Sequence, residues 1–428
     1  MNATVHRLYP QPAPLAGFLR IGQTGQRRLE TLHAAGRFSY RRVVFDAAHL
    51  GAQIGLLKLL KVRGCEIVLD PNFAEMATAG RSLGAVGRLR WANPERPWAP
   101  TDFKPARNAD LAKLIAEFAV RHGVDAVLTP SHLIESVTGG WHTLDLQLCE
   151  WLRQELDRLG GREIAIDYQL IATNAVLKDE QQRRQLIGSI VELPIENIWL
   201  RISGAGATAT GAMTRHLIEA IRDLHQFAKP LVADCAGGFS GLATLALGAV
   251  GGISHGVGLK ETFRAADWKS PRGGGGSSRR IYVPDLDRHF TEEQLNKIFE
   301  ARGGRSRFAC NDTSCCPRGK EDMFDNADAH FITQRARQLS DLAKVNEERR
   351  PDYFLLHHLD PAVRSARYAA RLKIIDEKVR GAVKDAGTRL VRLRDAIGDL
   401  HSQDENTTRS RPLAFRGGGT AIGAVLGR

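Results

Sequence analysis

From Arg41 to about residue 300, the hydrophobic positions alternate between two periodicities. Short apolar runs rich in β-branched residues are each followed by a stretch in which apolar residues recur at every third or fourth position. This succession predicts strands that alternate with helices, as in a parallel sheet with crossover helices. The eight runs are VVFD (43–46), EIVLD (66–70), DAVLTP (125–130), EIAIDY (163–168), NIWLRISG (197–204), PLVADC (230–235), GGISHG (251–256) and RIYVPDL (280–286).

Eight strands in steady alternation with helices predict an α/β fold, a (β/α)8 TIM-like barrel, and an open doubly wound sheet is the alternative. The glycine- and serine-rich stretch 271–280 is typical of a flexible linker before the last predicted strand. The predicted regions are an N-terminal arm (1–40), the barrel (41–305), a Cys/His zinc-binding segment (306–335), a basic helical region (336–402) and a disordered tail (403–428).

Most predicted strands finish on a polar or ionisable residue, at the end where a TIM barrel places its chemistry. We predict that four of these residues are catalytic and that two contact the substrate. The catalytic candidates are Asp46, Asp70, Asp167 and Asp234, the substrate contacts are Arg201 and His255, and Thr129 and Asp285 complete the set. Aspartate is also a common helix N-cap, which is the structural alternative for part of this set.

Glycine is concentrated in the loops after three predicted strands, at SGAGATATG (203–211), CAGGFSG (235–241) and SHGVG (254–258). Because glycine lets backbone N–H groups approach an anion closely, these loops predict a phosphate or ribose-phosphate site. Its candidate residues are Gly204, Gly206, Gly237 and Gly238. The alternative is that the glycines make tight turns and allow close packing. If the ligand of this site carries a nucleobase, Trp141 or Phe239 would stack on that base.

Three of the six cysteines and one histidine fall within a single short segment, CNDTSCCPRGKEDMFDNADAH (310–330). Three thiolates and one imidazole form a ligand set that suits a structural tetrahedral zinc ion. We therefore predict Zn²⁺ on Cys310, Cys315, Cys316 and His330, provided that the backbone turns between the adjacent cysteines. A redox-active or disulfide-bonded pair is the alternative.

The composition is that of a folded globular protein, with 43% hydrophobic and 25% charged residues among 428. No apolar run reaches the ~20 residues of a membrane span and no secretory leader is recognisable, so we expect a cytoplasmic protein. A net charge of +12 favours nucleic acid as a partner. The basic residues after His330 predict either a solvated helical face or a polyanion-binding one; they are Arg364, Arg367, Arg371, Lys373, Lys378, Arg380 and Lys384.

A basic barrel followed closely by a three-cysteine, one-histidine cluster resembles the tRNA-guanine transglycosylases and their DNA-modifying relatives. The resemblance covers the architecture from about Arg41 to His330. It implies that a barrel aspartate attacks the anomeric carbon of a guanosine, that a 7-deazaguanine replaces the guanine, and that zinc holds a substructure gripping DNA or tRNA. No position matches the nucleophile motif of that family, so the catalytic aspartates rest on their strand-end positions alone.

Two other functions fit the same residues. The first is a metal-dependent TIM-barrel hydrolase, although only His49, His132 and His255 lie near predicted strand ends. The second is a non-catalytic nucleic-acid-binding subunit of a multi-protein defence complex, which recruits protein partners through its helical C-terminal region.

Overall fold

A computed structural model of the protein describes residues 14–23, 26–78, 84–258, 260–269, 279–404 and 410–415. Most of the predicted linker and most of the predicted tail therefore lie outside the described residues. Across the described parts of the chain, no helix is both long and apolar enough to cross a membrane.

Eight parallel strands close into a barrel, which confirms the predicted (β/α)8 fold. The strands of the described residues are β1 (Ala16–Ile21), β2 (Arg42–Asp46), β3 (Glu66–Asp70), β4 (Ala126–Leu128), β5 (Leu133–Ile134), β6 (Ala165–Ala172), β7 (Asn197–Ile202), β8 (Leu231–Ala233), β9 (Gly252–His255), β10 (Arg280–Val283) and β11 (Arg288–Thr291). The neighbours run β4-β3-β2-β1-β9-β8-β7-β6, and a β4–β6 pairing closes the ring. The two-residue β5 pairs with the far end of β6.

The identity of one barrel strand differs from the prediction. RIYVPDL (280–286) was wrongly assigned as the eighth strand, because it turns back at Asp287 (φ 43°) into β11 and forms an antiparallel hairpin outside the barrel. Its place is taken by β1, which the sequence pattern assigned to an N-terminal arm. All six residues of β1 are buried, and the strand pairs with β2 on one side and β9 on the other.

The helices of the barrel alternate with its strands, and a helical region follows. They are α1 (Gln26–Ala34), α2 (Ala47–Leu50), α3 (Ile54–Val62), α4 (Phe73–Met76), α5 (Pro105–His122), α6 (Gly140–Arg158), α7 (Asn174–Lys178), α8 (Glu180–Ile190), α9 (Gly211–Asp223), α10 (Gly238–Ala246), α11 (Ala265–Lys269), α12 (Glu292–Glu300), α13 (Gly304–Phe308), α14 (Lys320–Asp325), α15 (Ala327–Ala343), α16 (Arg350–Phe354), α17 (Asp360–Arg371) and α18 (Glu377–Asp404). A π-helical turn, Leu355–Leu359, joins α16 to α17. The predicted helical C-terminal extension is confirmed, and α18 packs against α9 and α17.

Aromatic side chains fill the lower half of the barrel interior. The rings of Phe18 and Trp199 meet edge to face with centroids 4.6 Å apart. Phe415, from the segment 410–415, enters from below with its centroid 5.1 Å from that of Phe18. The guanidinium of Arg42 lies 5.1 Å from the Phe415 ring. This plug leaves the opposite, C-terminal end of the barrel as the place where polar side chains gather.

Candidate active site and metal centre

The strand periodicity delivers charged side chains to the mouth of the barrel. Side chains two residues apart on a strand point to the same side of the sheet. If one residue points into the barrel, the residue two positions further along the strand therefore also points inward, closer to the mouth. The apolar cluster inside the barrel contains Phe18, Val68, Trp199 and Val232. The residues two positions further on, at the mouth, are Arg20, Asp70, Arg201 and Asp234. We call these four side chains the mouth cluster.

The mouth cluster is a closed set of ion pairs. Arg20 donates to both oxygens of Asp234, through Nε at 2.7 Å and Nη2 at 2.8 Å. Its Nη1 donates to Oδ2 of Asp70 at 2.8 Å. Arg201 bridges the same two carboxylates, at 2.8 Å to Asp234 and 2.7 Å to Asp70. Two guanidinium groups therefore neutralise two carboxylates at the centre of the mouth.

These ion pairs decide the charge state of the two aspartates. Burial alone would raise the pKa of Asp70, but the guanidinium groups of Arg201 and Arg20 outweigh it and hold that pKa below its usual value. The pKa of Asp234 is lowered by the same two guanidinium groups, again against the effect of burial. Both carboxylates therefore stay ionised and engaged with arginine, so neither is free to act as a nucleophile.

Asp46 has a different environment, although it pairs in register with Asp70 on the next strand. Its side chain is 27% exposed, and its Oδ1 lies 3.6 Å from Nη1 of Arg20. Enclosure by the mouth, followed by the negative charge of Asp70, raises the pKa of Asp46, while Arg20 and Lys260 oppose the shift. Asp46 is therefore a carboxyl group at the mouth that can exchange a proton closer to neutral pH.

Asp167, one of the predicted catalytic residues, does not reach the mouth of the barrel. Strand β6 continues to Ala172, which leaves Asp167 low in the barrel wall with no exposed surface. Its carboxylate accepts hydrogen bonds from Nδ2 of Asn197 at 2.7 Å and Nε1 of Trp199 at 2.9 Å. The mouth position of β6 is instead occupied by Gln169, whose Nε2 lies 3.3 Å from Asp234.

Other predicted contact residues also point elsewhere. His255 is fully buried; its Nε2 lies 2.7 Å from the Tyr40 hydroxyl and its Nδ1 3.0 Å from the Gly256 carbonyl oxygen. Asp285 lies in the turn of the β10–β11 hairpin. Trp141 stacks on His132 with centroids 3.9 Å apart, and Phe239 is buried in α10. The structure therefore does not support a substrate contact for His255 or base stacking by the two aromatic residues.

The glycine-rich loops bind the protein's own chain in place of a phosphate. The N–H groups of Ala207 and Gly237 donate to the Glu261 carbonyl oxygen at 3.2 and 2.9 Å. Gly238 N–H donates to the Glu261 carboxylate at 3.1 Å, and Gly204 N–H donates to the Phe263 carbonyl oxygen at 2.8 Å. A side chain on Gly206 would collide with Glu261. The N–H groups of Gly204, Gly237 and Gly238, which were predicted to bind a phosphate, are therefore engaged within the chain, and the glycines allow the segment 261–263 to approach closely.

A second set of buried ion pairs secures that segment. Arg335 of α15 lies between Glu261, with its Nε 2.9 Å from Oε1, and Asp287, with its Nη2 3.2 Å from Oδ1. Arg389 of α18 reaches the other oxygen of Asp287 at 3.2 Å. The same oxygen accepts the Phe239 N–H at the start of α10, a position where the helix dipole favours an anion. We call Glu261, Asp287, Arg335 and Arg389 the anchor cluster.

The loop after β9 partly covers the mouth. Phe263 and Ala265 pack with Ile171 of β6 and Ala74 of α4, and Cys235 lies at the edge of this group. Cys235, two residues after the end of β8, has a left-handed conformation with φ 54°. Burial and the charge of Asp234 raise the pKa of its thiol to about 11, so it stays protonated at neutral pH. The anchor cluster therefore holds an apolar cover over the polar floor of the mouth.

The sequence predicted Asp46, Asp70, Asp234 and Arg201 at the mouth, and the structure brings them together. It missed Arg20, because β1 precedes the alternating pattern from which the strands were assigned. The run AGFLRI (16–21), apolar except for one arginine near its end, was the available signal. The anchor cluster left no such signal, since its members are separated by up to 128 residues, from Glu261 to Arg389.

The predicted metal ligands also converge. Cys310, Cys315, Cys316 and His330 each offer a ligand atom, and these atoms all lie within 4.8 Å of one another. Backbone N–H groups of the adjacent cysteines both donate to the Asp312 carbonyl oxygen, at 3.0 and 2.7 Å, so the chain makes the turn that ligation by both requires. All six cysteines are free in this structure, and the sulfur atoms of Cys315 and Cys316 are 3.8 Å apart.

The distances within this Cys₃His cluster fit a tetrahedral ion. The two adjacent sulfur atoms are 3.8 Å apart, and each lies 3.4 Å from Nδ1 of His330. An ion about 2.3 Å from sulfur and about 2.0 Å from nitrogen sets tetrahedral edges of about 3.8 and 3.5 Å. Nε2 of His330 lies 3.0 Å from the Tyr282 carbonyl oxygen, which fixes a proton there and directs the Nδ1 lone pair at the sulfur atoms.

No family model matches the chain, and no curated protein is significantly similar to it in sequence. Among solved structures, it is similar to the endo-1,4-beta-xylanase XylE of Penicillium canescens, at 8% identity over 56% of this chain and 81% of that chain, with a TM-score of 0.38. It is similar to the GH26 beta-mannanase BoMan26A of Bacteroides ovatus at 9% identity over 60% and 88% of the two chains, with a TM-score of 0.38. A mandelate racemase/muconate lactonizing family protein from Azoarcus sp. EbN1 matches at 13% identity over 55% and 48%, with a TM-score of 0.29.

The interpretation of the chain as a tRNA-guanine transglycosylase relative was wrong. The three structures named above are two glycoside hydrolases and a mandelate racemase/muconate lactonizing family protein, and none of the three is a transglycosylase. The site agrees with this correction. Of the four aspartates offered as nucleophile, two are neutralised by arginine and one is buried in the barrel wall. Guanine exchange and tRNA modification are therefore not supported as the function.

Proposed function

We propose that the protein is a TIM-barrel hydrolase in which Asp46 is the general acid–base residue. The observation that carries this proposal is the contrast between two adjacent carboxylates. The pKa of Asp46 is raised, whereas that of its register neighbour Asp70 is lowered. When the environments of two titratable groups shift their pKa values in opposite directions, one group can exchange protons while the other stays charged.

The mouth cluster has a positioning role in this proposal. Asp70, held by two arginines, keeps a negative charge beside Asp46 and so favours its protonated form. Arg20 stands 3.6 Å from the Asp46 carboxylate, close enough to stabilise the anion after the proton is given to a leaving group. Partial exposure of Asp46 gives the substrate access, and the apolar cover formed by Phe263 limits water.

A hydrolytic metal ion at the mouth is disfavoured by its charges. Two guanidinium groups occupy the space between the aspartates and would repel a cation there. Among the described residues, the group of His, Cys, Asp and Glu placed to hold a metal is the Cys₃His cluster instead. Acid–base chemistry by a carboxyl group therefore fits the mouth better than metal-activated water.

The test combines a substrate screen with an isosteric variant. Chromogenic glycosides, carboxylic esters and phosphodiesters would be assayed across pH with the wild-type protein, Asp46→Asn and Asp110→Asn, a control at an exposed position of α5. We expect Asp46→Asn to lower kcat/KM by about 10²- to 10⁴-fold, the usual contribution of acid–base catalysis, and Asp110→Asn to leave it unchanged. Full activity in Asp46→Asn, or a nuclear magnetic resonance titration placing the Asp46 pKa at or below its usual value, would contradict the proposal.

We further propose that the Cys₃His cluster binds structural Zn²⁺. Its ligands come from the turn after α13 and from α15, and the histidine is tied to β10 through Tyr282. Zinc there would hold these three elements in place, since a structural site contributes its binding energy to folding. The residue Arg335 of the anchor cluster lies on α15, five positions after His330. The metal thus supports the helix that secures the mouth loops.

Metal content tests this second proposal directly. We expect one zinc per chain by elemental analysis, loss of the metal in Cys316→Ser, and full retention in Cys235→Ser, whose thiol lies outside the cluster. Removal of zinc should lower the thermal stability and loosen α14 and α15, as seen by hydrogen exchange. Zinc-free protein with unchanged stability, or full zinc content in Cys316→Ser, would contradict the assignment.

A further inference from the structure

Helix α17 presents a basic and aromatic face to solvent. Arg364, Arg367, Tyr368 and Arg371 are all exposed, and the tyrosine is 41% accessible. Their spacing of three, four and seven residues places them on one side of the helix. The opposite side is buried, through Ala362, Val363, Ser365, Ala366 and Ala369. The helix is therefore fixed to the protein by its small apolar residues, while its outer face stays free.

The arginines of this face have no acidic partner among the described residues. Within the part of the chain that the structure describes, no ion pair involves Arg364, Arg367 or Arg371, whereas other arginines in the neighbourhood are neutralised. The one acid on the same face, Asp360, is engaged by Arg394 at 3.1 Å. Three positive charges within two helical turns repel one another, so an anionic partner would relieve a repulsion that the protein leaves in place.

A basic groove adjoins the helix. The groove of about 520 Å³ is lined by α12, α13 and the turn before α14, and Arg302 and Lys320 in its wall also have no acidic partner among the described residues. Tyr368 connects the two surfaces: its hydroxyl lies against Gly303 of the groove, and its ring centroid is 6.3 Å from that of Phe308. Ser365 is also bonded to Arg307 of α13, at 2.6 Å.

We propose that this surface binds single-stranded nucleic acid. Unpaired cations along a line of about two helical turns match the repeated negative charge of a phosphodiester backbone. An exposed tyrosine among them offers a stacking platform for an unpaired base, which a duplex keeps inside its own stack. Arg302 and Lys320 continue the positive surface into the groove, so the strand would run from the face of α17 past Tyr368 into that groove.

The test measures fluorescence anisotropy of a labelled single-stranded oligonucleotide of about 16 nucleotides at several salt concentrations. The main variant replaces Arg364, Arg367 and Arg371 with glutamine. The charge-matched control makes the same change at Lys58, Lys113 and Arg121, exposed residues of α3 and α5 with no ion pair in the described structure. Circular dichroism would verify that both variants are folded.

We expect wild-type binding that weakens with salt, a slope of log K against log salt reduced by about 2 in the main variant, and little change in the control. Tyr368→Ala should bind about 5- to 150-fold more weakly, and Tyr368→Phe close to the wild type, because phenylalanine keeps the stacking surface. The proposal is overturned by equal effects of the two triple variants or by the absence of salt-dependent binding. It is also overturned if Tyr368→Ala binds normally while heparin or duplex DNA binds as well as the single strand.

Discussion

Two ion-pair clusters lie at the same end of the barrel, and each joins two arginines to two carboxylates. The mouth cluster is built from barrel strands, whereas the anchor cluster joins a barrel loop and the hairpin turn to α15 and α18. The anchor cluster is balanced and almost fully buried. The mouth cluster has a further carboxylate beside it, Asp46, that is only loosely paired and partly exposed. A closed set of ion pairs fixes geometry, and Asp46, the carboxyl group left over, is the one that we propose as the acid–base residue.

The largest effect on the stability of the fold is expected from a substitution that breaks the anchor cluster. Arg335→Met would leave Glu261 and part of Asp287 buried without their guanidinium partner, which should lower the free energy of unfolding by about 3–5 kcal/mol. Arg215→Met is the control, because its partly exposed pair with Glu219 should contribute about 1 kcal/mol or less. Urea denaturation of both variants measures the difference. Equal small losses would show that the anchor cluster does not stabilise the fold.

A smaller loss of stability is expected at low pH, and its direction follows from the pKa shifts. Asp70, Asp234 and Asp287 have pKa values lowered by their arginines, against burial. The stability that they contribute is fully present above the pKa of an unfolded aspartate, about 3.9, and is lost as the pH falls from there towards their folded values. Unfolding measured by urea should therefore show a steep loss of stability below about pH 4. Unchanged stability between about pH 7 and pH 3 would contradict this account.

The smallest effect on stability is expected from a substitution of Asp46. Its pH dependence is opposite in sign to that of Asp70, Asp234 and Asp287. Because its folded pKa is raised, the ionised form is disfavoured in the folded protein, and this penalty is present above the folded pKa and disappears at low pH. Asp46→Asn should therefore stabilise the protein at pH 7 by on the order of 1 kcal/mol, and this gain should shrink as the pH falls. Destabilisation at neutral pH would indicate that Asp46 belongs to the structural ion pairs after all.

The contrast between the mouth cluster, built on barrel strands, and the anchor cluster, built from distant segments, explains what could be predicted from the sequence. Strand-end carboxylates follow from local periodicity, so Asp46, Asp70 and Asp234 could be placed at the mouth. The four metal ligands lie within 21 residues, from Cys310 to His330, and could be found by spacing. Periodicity did not show that β6 continues beyond Tyr168, where the predicted strand ended, as far as Ala172. That extension places Asp167 in the barrel wall.

Long-range partners account for the remaining errors. The N–H groups of the glycine-rich loops were expected to bind a phosphate, but their acceptors lie in the segment 261–263, which no local pattern connects with them. Likewise, β10 has the composition of a barrel strand, and only its pairing with β11 removes it from the barrel. Hydrogen-bond donors can be counted from a sequence, whereas the groups that accept from them depend on the tertiary fold.

Phe415 and strand β1 have a consequence for the order of events during synthesis. Among the described strands, β1 comes first in the chain. Its partner β2 follows closely, whereas its other partner, β9, begins only at Gly252, and its Phe18 is covered from below by Phe415. The second edge of this largely apolar strand therefore stays without its partner until about 230 further residues have been synthesised, and contacts so distant in sequence form slowly. During that interval one edge of β1 has no partner strand, and such an edge can pair with other chains.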